Sequence, residues 1–153
     1  MKSNEEFVRS FREVQPKFSR LMTRLLVGAR LTLPQYALLN QLLVHGTLPM
    51  SDVSCKLHIS KPAITNLVDR LEKNKYLKRM PHSSDRRISL LQMLPKGEKT
   101  LRRMQAEVLK FLLATLEKFN SREQKVINRF YLLLSQTMDE VLTAEGGRKR
   151  NEQ

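Results

Sequence analysis

Seven residues, Lys61, Pro62, Thr65, Asn66, Asp69, Arg70 and Lys73, fall on the outer side of one amphipathic segment. Ile64, Leu67, Val68 and Leu71 recur at three- and four-residue intervals, so they form an apolar stripe that docks inward and turns the seven outward. Outward side chains of these types can read nucleic acid. An Asn amide pairs bidentately with an adenine edge, Thr reaches a base edge or a thymine methyl, and Lys meets phosphate or guanine. Lys61, Thr65 and Asn66 lie in the N-terminal half, where the helix dipole also favours phosphate. Arg70 and Lys73 lie further along and suit phosphate contacts. Asp69 would repel a polyanion unless paired, and Lys73, four residues on, is an available partner. Taken one at a time, these residues are also consistent with an ordinary solvated helix face.

A second group is Asp85-Arg86-Arg87. It follows Pro81-His82-Ser83-Ser84, which is turn chemistry between two runs of strand-forming residues. An arginine on a projecting ribbon can enter a narrow A/T-rich minor groove, whose negative potential attracts it, and a neighbouring Asp can hold that side chain in position. A charged β-turn is the commoner origin of such a tripeptide.

Other chemistry finds no support. No nucleophile–base arrangement, phosphate-cradling glycine loop or recognisable acid pair is present, so neither an enzyme nor a cofactor is expected. His45, His58 and His82 are not spaced as metal ligands along one helix. Cys55 is the sole cysteine, so no intrachain disulfide forms. Its place beside Lys56 gives weak support for a redox thiol, and a neutral, unreactive thiol is the expected state.

The elements that must position these groups follow from periodicity. Phe7, Phe11, Val14, Phe18, Leu21 and Leu25 predict a helix over 4–29, kinked or split at Pro16. A second helix begins at Leu33-Pro34, with Tyr36, Leu39, Leu42 and Leu43 apolar, and ends at His45-Gly46. Leu48 and Pro49 are at most a very short strand. A short helix over 51–57 and the turn His58-Ile59-Ser60 lead to the segment from Lys61. Ser60 is a good N-cap there and Pro62 fits the first turn. Strands are expected over 76–80 and 87–93. Pro95 opens a long helix to about residue 119. Asn120-Ser121 breaks it, Ser121 caps a last helix to about residue 143, and Gly146-Gly147 stops that helix. Helix, helix, tight turn, helix and hairpin is the order of a winged helix-turn-helix.

Charge agrees with this placement. The 153 residues carry 28 Lys+Arg against 15 Asp+Glu, a net charge of +13. Residues 55–110 hold 14 of these bases and 5 of the acids, so nine of the thirteen surplus charges lie there. Such a field favours a polyanion, either nucleic acid or an anionic membrane surface, although a solvated basic face is also possible. No apolar run is long enough to cross a bilayer, and residues 1–30 lack a signal-peptide core, so a cytoplasmic protein is expected.

The stretch 51–77, SDVSCKLHISKPAITNLVDRLEKNKYL, resembles the helix-turn-helix of the MarR (multiple antibiotic resistance regulator) family. The stretch 85–97, DRRISLLQMLPKG, is similar to that family's wing signature of Asp-x-Arg, Leu-x-Leu-Thr and Gly, at Asp85, Arg87, Leu91, Met93 and Gly97. Leu94 departs from the usual capping Thr, so the helix from Pro95 is expected to start without a side-chain cap, at a cost of about 1 kcal/mol.

The resemblance implies a prokaryotic, nucleoid-associated homodimer on palindromic double-stranded DNA. Its fold is mainly α with a small β-hairpin wing. Residues 1–32 and 95–145 form the dimerisation region, with 120–145 the last helix. Residues 33–94 form the DNA-binding lobe, and 146–153 a disordered basic tail. Lys61, Pro62, Thr65, Asn66, Arg70 and Lys73 face the major groove. Arg87 enters the minor groove, with Asp85 and Arg86 beside it on the wing. A repressor released by a small phenolic or lipophilic effector is the expected function. The alternatives are a non-specific architectural DNA-binding protein, driven by the net charge, and a protein-interaction or membrane-surface module.

Overall fold

The computed structural model describes residues 2–85 and 87–148. In chain order it comprises α1 (Lys2–Ala29), α2 (Leu33–His45), β1 (Leu48–Pro49), α3 (Met50–Lys56), α4 (Lys61–Lys73), β2 (Leu77–Pro81), β3 (Ser89–Met93), α5 (Pro95–Leu116) and α6 (Ser121–Arg148). The fold is mainly helical with one small antiparallel sheet of order β1-β3-β2, in agreement with the fold class expected from sequence. Its contacts divide the chain into 1–104 and 105–153, with the boundary inside α5.

The first unit packs around one core. Leu38, Leu39 and Leu42 of α2, Val53 of α3, Ile64, Val68 and Leu71 of α4, Leu77, Leu91, and Leu101 and Met104 of α5 are buried together. Ala29 and Leu31 join them from the end of α1, with Leu25 and Leu26 packed alongside. Leu67, Tyr36 and Leu43, expected in the core, are only partly buried against it. Gln35 is buried because it completes a capping box. Its Oε1 accepts the Thr32 N–H at 2.9 Å, and its own N–H reaches Thr32 Oγ1 at 3.4 Å. Two orphan donors at the start of α2 are thereby satisfied.

Three helices end in the same way. Arg30, His58 and Lys75 adopt positive φ of 55°, 52° and 59°. After α1, α3 and α4 the next residue's N–H returns to a carbonyl of the last turn: Leu31 to Leu26, Ile59 to Ser54 and Tyr76 to Leu71. These are Schellman closures with a side chain where glycine usually sits. Gly46 ends α2 as expected, at φ 76°.

Strand ends differ from the expectation. The sheet pairs Leu77 with Met93, Arg79 with Leu91 and Pro81 with Ser89, and β1 adds Leu48 opposite Leu91. Tyr76 closes α4 instead of starting β2. Its hydroxyl donates to the Ala29 carbonyl at 3.1 Å, and its carbonyl accepts the Leu94 N–H at 3.0 Å. Leu94 in turn accepts the Glu98 N–H of α5. Lys96 lies over the Tyr76 ring, 4.7 Å from its centroid, and donates to the Asn74 carbonyl at 2.8 Å. Gly97 is buried in the first turn of α5. A Cβ there would stand 2.3 Å from the Tyr76 carbonyl oxygen and 3.2 Å from Met93 Cγ.

α1 is not split at Pro16. Proline removes one N–H from a helix interior, and the helix is long enough to continue on both sides. In the second unit the cap is Asn120, not Ser121. Asn120 Oδ1 accepts the N–H of Arg122 at 3.0 Å and of Glu123 at 3.1 Å, while Glu123 Oε2 accepts the Asn120 N–H at 2.9 Å. Gly146 and Gly147 do not stop α6, which continues to Arg148. Glycine in a helix costs about 1 kcal/mol relative to alanine but leaves every N–H in place. The tail expected over 146–153 otherwise falls on 149–153, outside the described residues.

Candidate nucleic-acid interface

The helix-turn-helix is closed by its own small side chains. Ser54 Oγ donates to the Ile59 carbonyl at 2.7 Å and holds the turn between α3 and α4. Ser60 Oγ accepts the Ala63 N–H at 3.4 Å, which is the predicted N-cap of α4. Pro62 sits in the first turn, where its missing N–H costs little.

On α4, Lys61, Pro62, Thr65, Asn66, Asp69, Arg70 and Lys73 are all exposed. Burial of Ile64, Val68 and Leu71 forces this, because they occupy the opposite face. Thr65 Oγ1 donates to the Lys61 carbonyl at 2.9 Å. Its proton is thus used within the helix, which leaves a methyl group and an acceptor oxygen outward. The Arg70 carbonyl accepts Asn74 Nδ2 at 2.7 Å and the Asn74 N–H at 3.2 Å, so the last turn is satisfied locally.

Asp69 does not pair with Lys73. Its Oδ1 lies 2.6 Å from Arg79 Nη2, across to β2. Arg79 also holds Glu72, through Nη1 at 2.5 Å and through its backbone N–H at 2.8 Å to the other carboxylate oxygen. Partial burial alone would lower the Arg79 pKa, but hydrogen bonds and charge from both acids outweigh it and raise it. Sequence reasoning missed Arg79. The available signal was two acids three residues apart on α4, followed by a basic residue on the next strand.

At the wing tip, Asp85 and Arg87 are exposed. Asp85 Oδ1 accepts the backbone N–H of Arg87 at 2.9 Å, and its carbonyl accepts the Ile88 N–H at 3.0 Å. The acid therefore shapes the turn, where the sequence suggested a hold on the arginine side chain. This turn also shortens β3, since Arg87 and Ile88 belong to it. His82 contributes an N–H to the Ile88 carbonyl, and its Nδ1 lies 3.0 Å from Ser84 Oγ. Arg86 lies outside the described residues.

Cys55 is exposed on α3. Among the described residues, no three His, Cys, Asp or Glu side chains group as a metal site. No described helix is long and apolar enough to cross a membrane.

Comparison with known proteins places these features in context. The model of the MarR family matches residues 31–89, which hold the helix-turn-helix and the wing tip. The HTH-type transcriptional regulator YfiV of Bacillus subtilis (strain 168) is 30% identical over 109 residues, 71% of this chain and 68% of its own. The structure of a MarR family protein from Bacillus stearothermophilus superposes with a TM-score of 0.75 at 26% identity, covering 90% of this chain and 96% of that one. The S. aureus MepR–DNA complex shares the fold at a TM-score of 0.68 and 18% identity, covering 84% and 96%.

Proposed function

The chain belongs to the MarR family of transcription regulators, whose members are not enzymes, and from that premise we propose that it is a cytoplasmic repressor. In this reading a homodimer binds a palindromic DNA site and is released by a small phenolic or lipophilic effector. The observation that carries it is the outward face of α4, where Lys61, Thr65, Asn66 and Arg70 stand exposed with the wing-tip Arg87 on the same compact unit. α4 has the width the major groove admits, with Lys61, Pro62, Thr65 and Asn66 leading, and Arg70 and Lys73 on phosphates. Arg87 reads the minor groove by its potential.

Exposed apolar surface supports the dimer. Phe7, Phe11, Val14 and Phe18 are exposed on α1, and Val126, Leu132, Leu133, Met138 and Val141 on α6. An exposed apolar face on each of these helices is what a partner surface would cover. A dimer presenting two α4 helices matches half-sites about one helical turn apart, roughly 10 bp between centres. The DNA complex of MepR, which has the same fold, is consistent with this use.

The test is sequence selection from random DNA with the purified protein, repeated with small acids and phenols present. A palindromic motif that is lost with an active compound is the expected result. Enrichment of no motif would reject the reading in favour of a non-specific architectural protein. Asn66→Ala should relax preference at one base position by about 1–3 kcal/mol.

A further inference from the structure

The outward face of α4 has an electrostatic defect that a neighbouring strand repairs. Along α4, Lys61, Arg70 and Lys73 are opposed by Asp69 and Glu72, so the helix alone carries one net positive charge. Asp69 lies on the exposed face, and Glu72, three residues on, is half-buried at its edge beside β2. On a surface that approaches phosphates, such a pair repels DNA of any sequence. Arg79, on β2, meets both. One arm of its guanidinium takes Asp69, the other takes Glu72, and its backbone N–H takes the second Glu72 oxygen.

We propose that Arg79 is a positioning residue for DNA binding, which masks the Asp69–Glu72 pair and so lets α4 enter the major groove. The inference rests on the DNA-binding reading above and deepens it. Arg79 is not itself a phosphate ligand. Each of its terminal nitrogens donates to one of the two carboxylates, and its side chain is 28% exposed against 55% for Asp69. It therefore acts through the two acids. The planar fork is what allows one cation to serve both, and a lysine cannot reproduce it. The same bonds tie α4 to the first strand of the wing, so masking and the seating of the helix on the hairpin come from one side chain.

The experiment measures equilibrium binding to two duplexes of equal length, the selected palindrome and a scrambled sequence. The proteins are the parent, Arg79→Met, Asp69→Asn with Glu72→Gln, and the triple combination. Arg79→Met should lose about tenfold in affinity on both duplexes near 50 mM salt, and the loss should shrink as salt screens the repulsion. The triple variant should return to within about twofold of the parent. A misaligned helix would give a loss that salt barely changes and that neutralising the acids does not repair. If Arg79→Met fails to fold, Arg79→Lys keeps the charge without the fork. It should show a smaller loss that the two neutral substitutions again cancel. The proposal is overturned if Arg79→Met binds like the parent, or if neutralising the acids helps no more without Arg79 than with it. A parent that binds neither duplex would instead overturn the DNA-binding reading, and this inference with it.

Discussion

Gly97→Ala should destabilise the protein, although alanine is the better helix former by about 1 kcal/mol. The new Cβ would lie 2.3 Å from the Tyr76 carbonyl oxygen, about 1 Å inside ordinary van der Waals contact. That oxygen is not the end of a flexible side chain. It is backbone, and it already accepts the Leu94 N–H at 3.0 Å. Relief requires moving the first turn of α5 away from the start of β2. The Leu94 bond, worth about 1 kcal/mol, is then weakened. The contact with Met93 Cγ at 3.2 Å closes the other route. Overpacking of this kind costs about 1–3 kcal/mol. Set against the helix-propensity gain, the net loss is about 2 kcal/mol, or a Tm lower by roughly 4–8 °C for a chain of this size. Thermal unfolding followed by circular dichroism at one fixed protomer concentration measures it, since dimerisation makes Tm concentration-dependent. A Tm equal to or above the parent's would show that α5 and β2 can separate without cost, and would refute the reasoning.

Three further outcomes are expected. Arg87→Ala should weaken binding to the selected palindrome by about 1–3 kcal/mol, whereas Asp85→Asn, which keeps the acceptor of the Arg87 N–H, should bind nearly as the parent does in the same titration. Lys75→Gly should raise the unfolding free energy by up to about 1 kcal/mol, because release of left-handed strain exceeds the added chain entropy, and a lower denaturation midpoint would contradict it. Asn120→Ala should cost about 1 kcal/mol and Ser121→Ala almost nothing, with the reverse order in a melting experiment reassigning the cap.

The winged helix-turn-helix was legible because its signals are local. The stripe of Ile64, Leu67, Val68 and Leu71 sets the outward face of α4 by period alone, and Ser60 with Pro62 marks its start. What escaped depends on partners brought together by the fold. Asp69 had a helical neighbour of opposite charge in Lys73, yet Arg79, ten residues away and fixed on a strand, offers a preorganised fork in place of a flexible lysine. Tyr76 looked like a strand residue by its type, but the αL residue before it and its bond to Ala29 assign it to the end of a helix. At the second boundary, Asn120 and Ser121 are both good caps by type. Glu123 decides between them, because it stands three residues after Asn120 and completes the box.

Tyr76 has a consequence for the order in which the lobe can assemble on the ribosome. Its hydroxyl reaches a carbonyl 47 residues earlier in the chain, and its own carbonyl waits for Leu94, which is made later still. The last turn of α1 leaves the exit tunnel first but lacks this donor until Tyr76 follows. The start of β2 cannot be fixed against α5 until Pro95 and Gly97 emerge. Neither bond can form before its later partner is made, so both of the ties through Tyr76 are complete only once Leu94 has emerged.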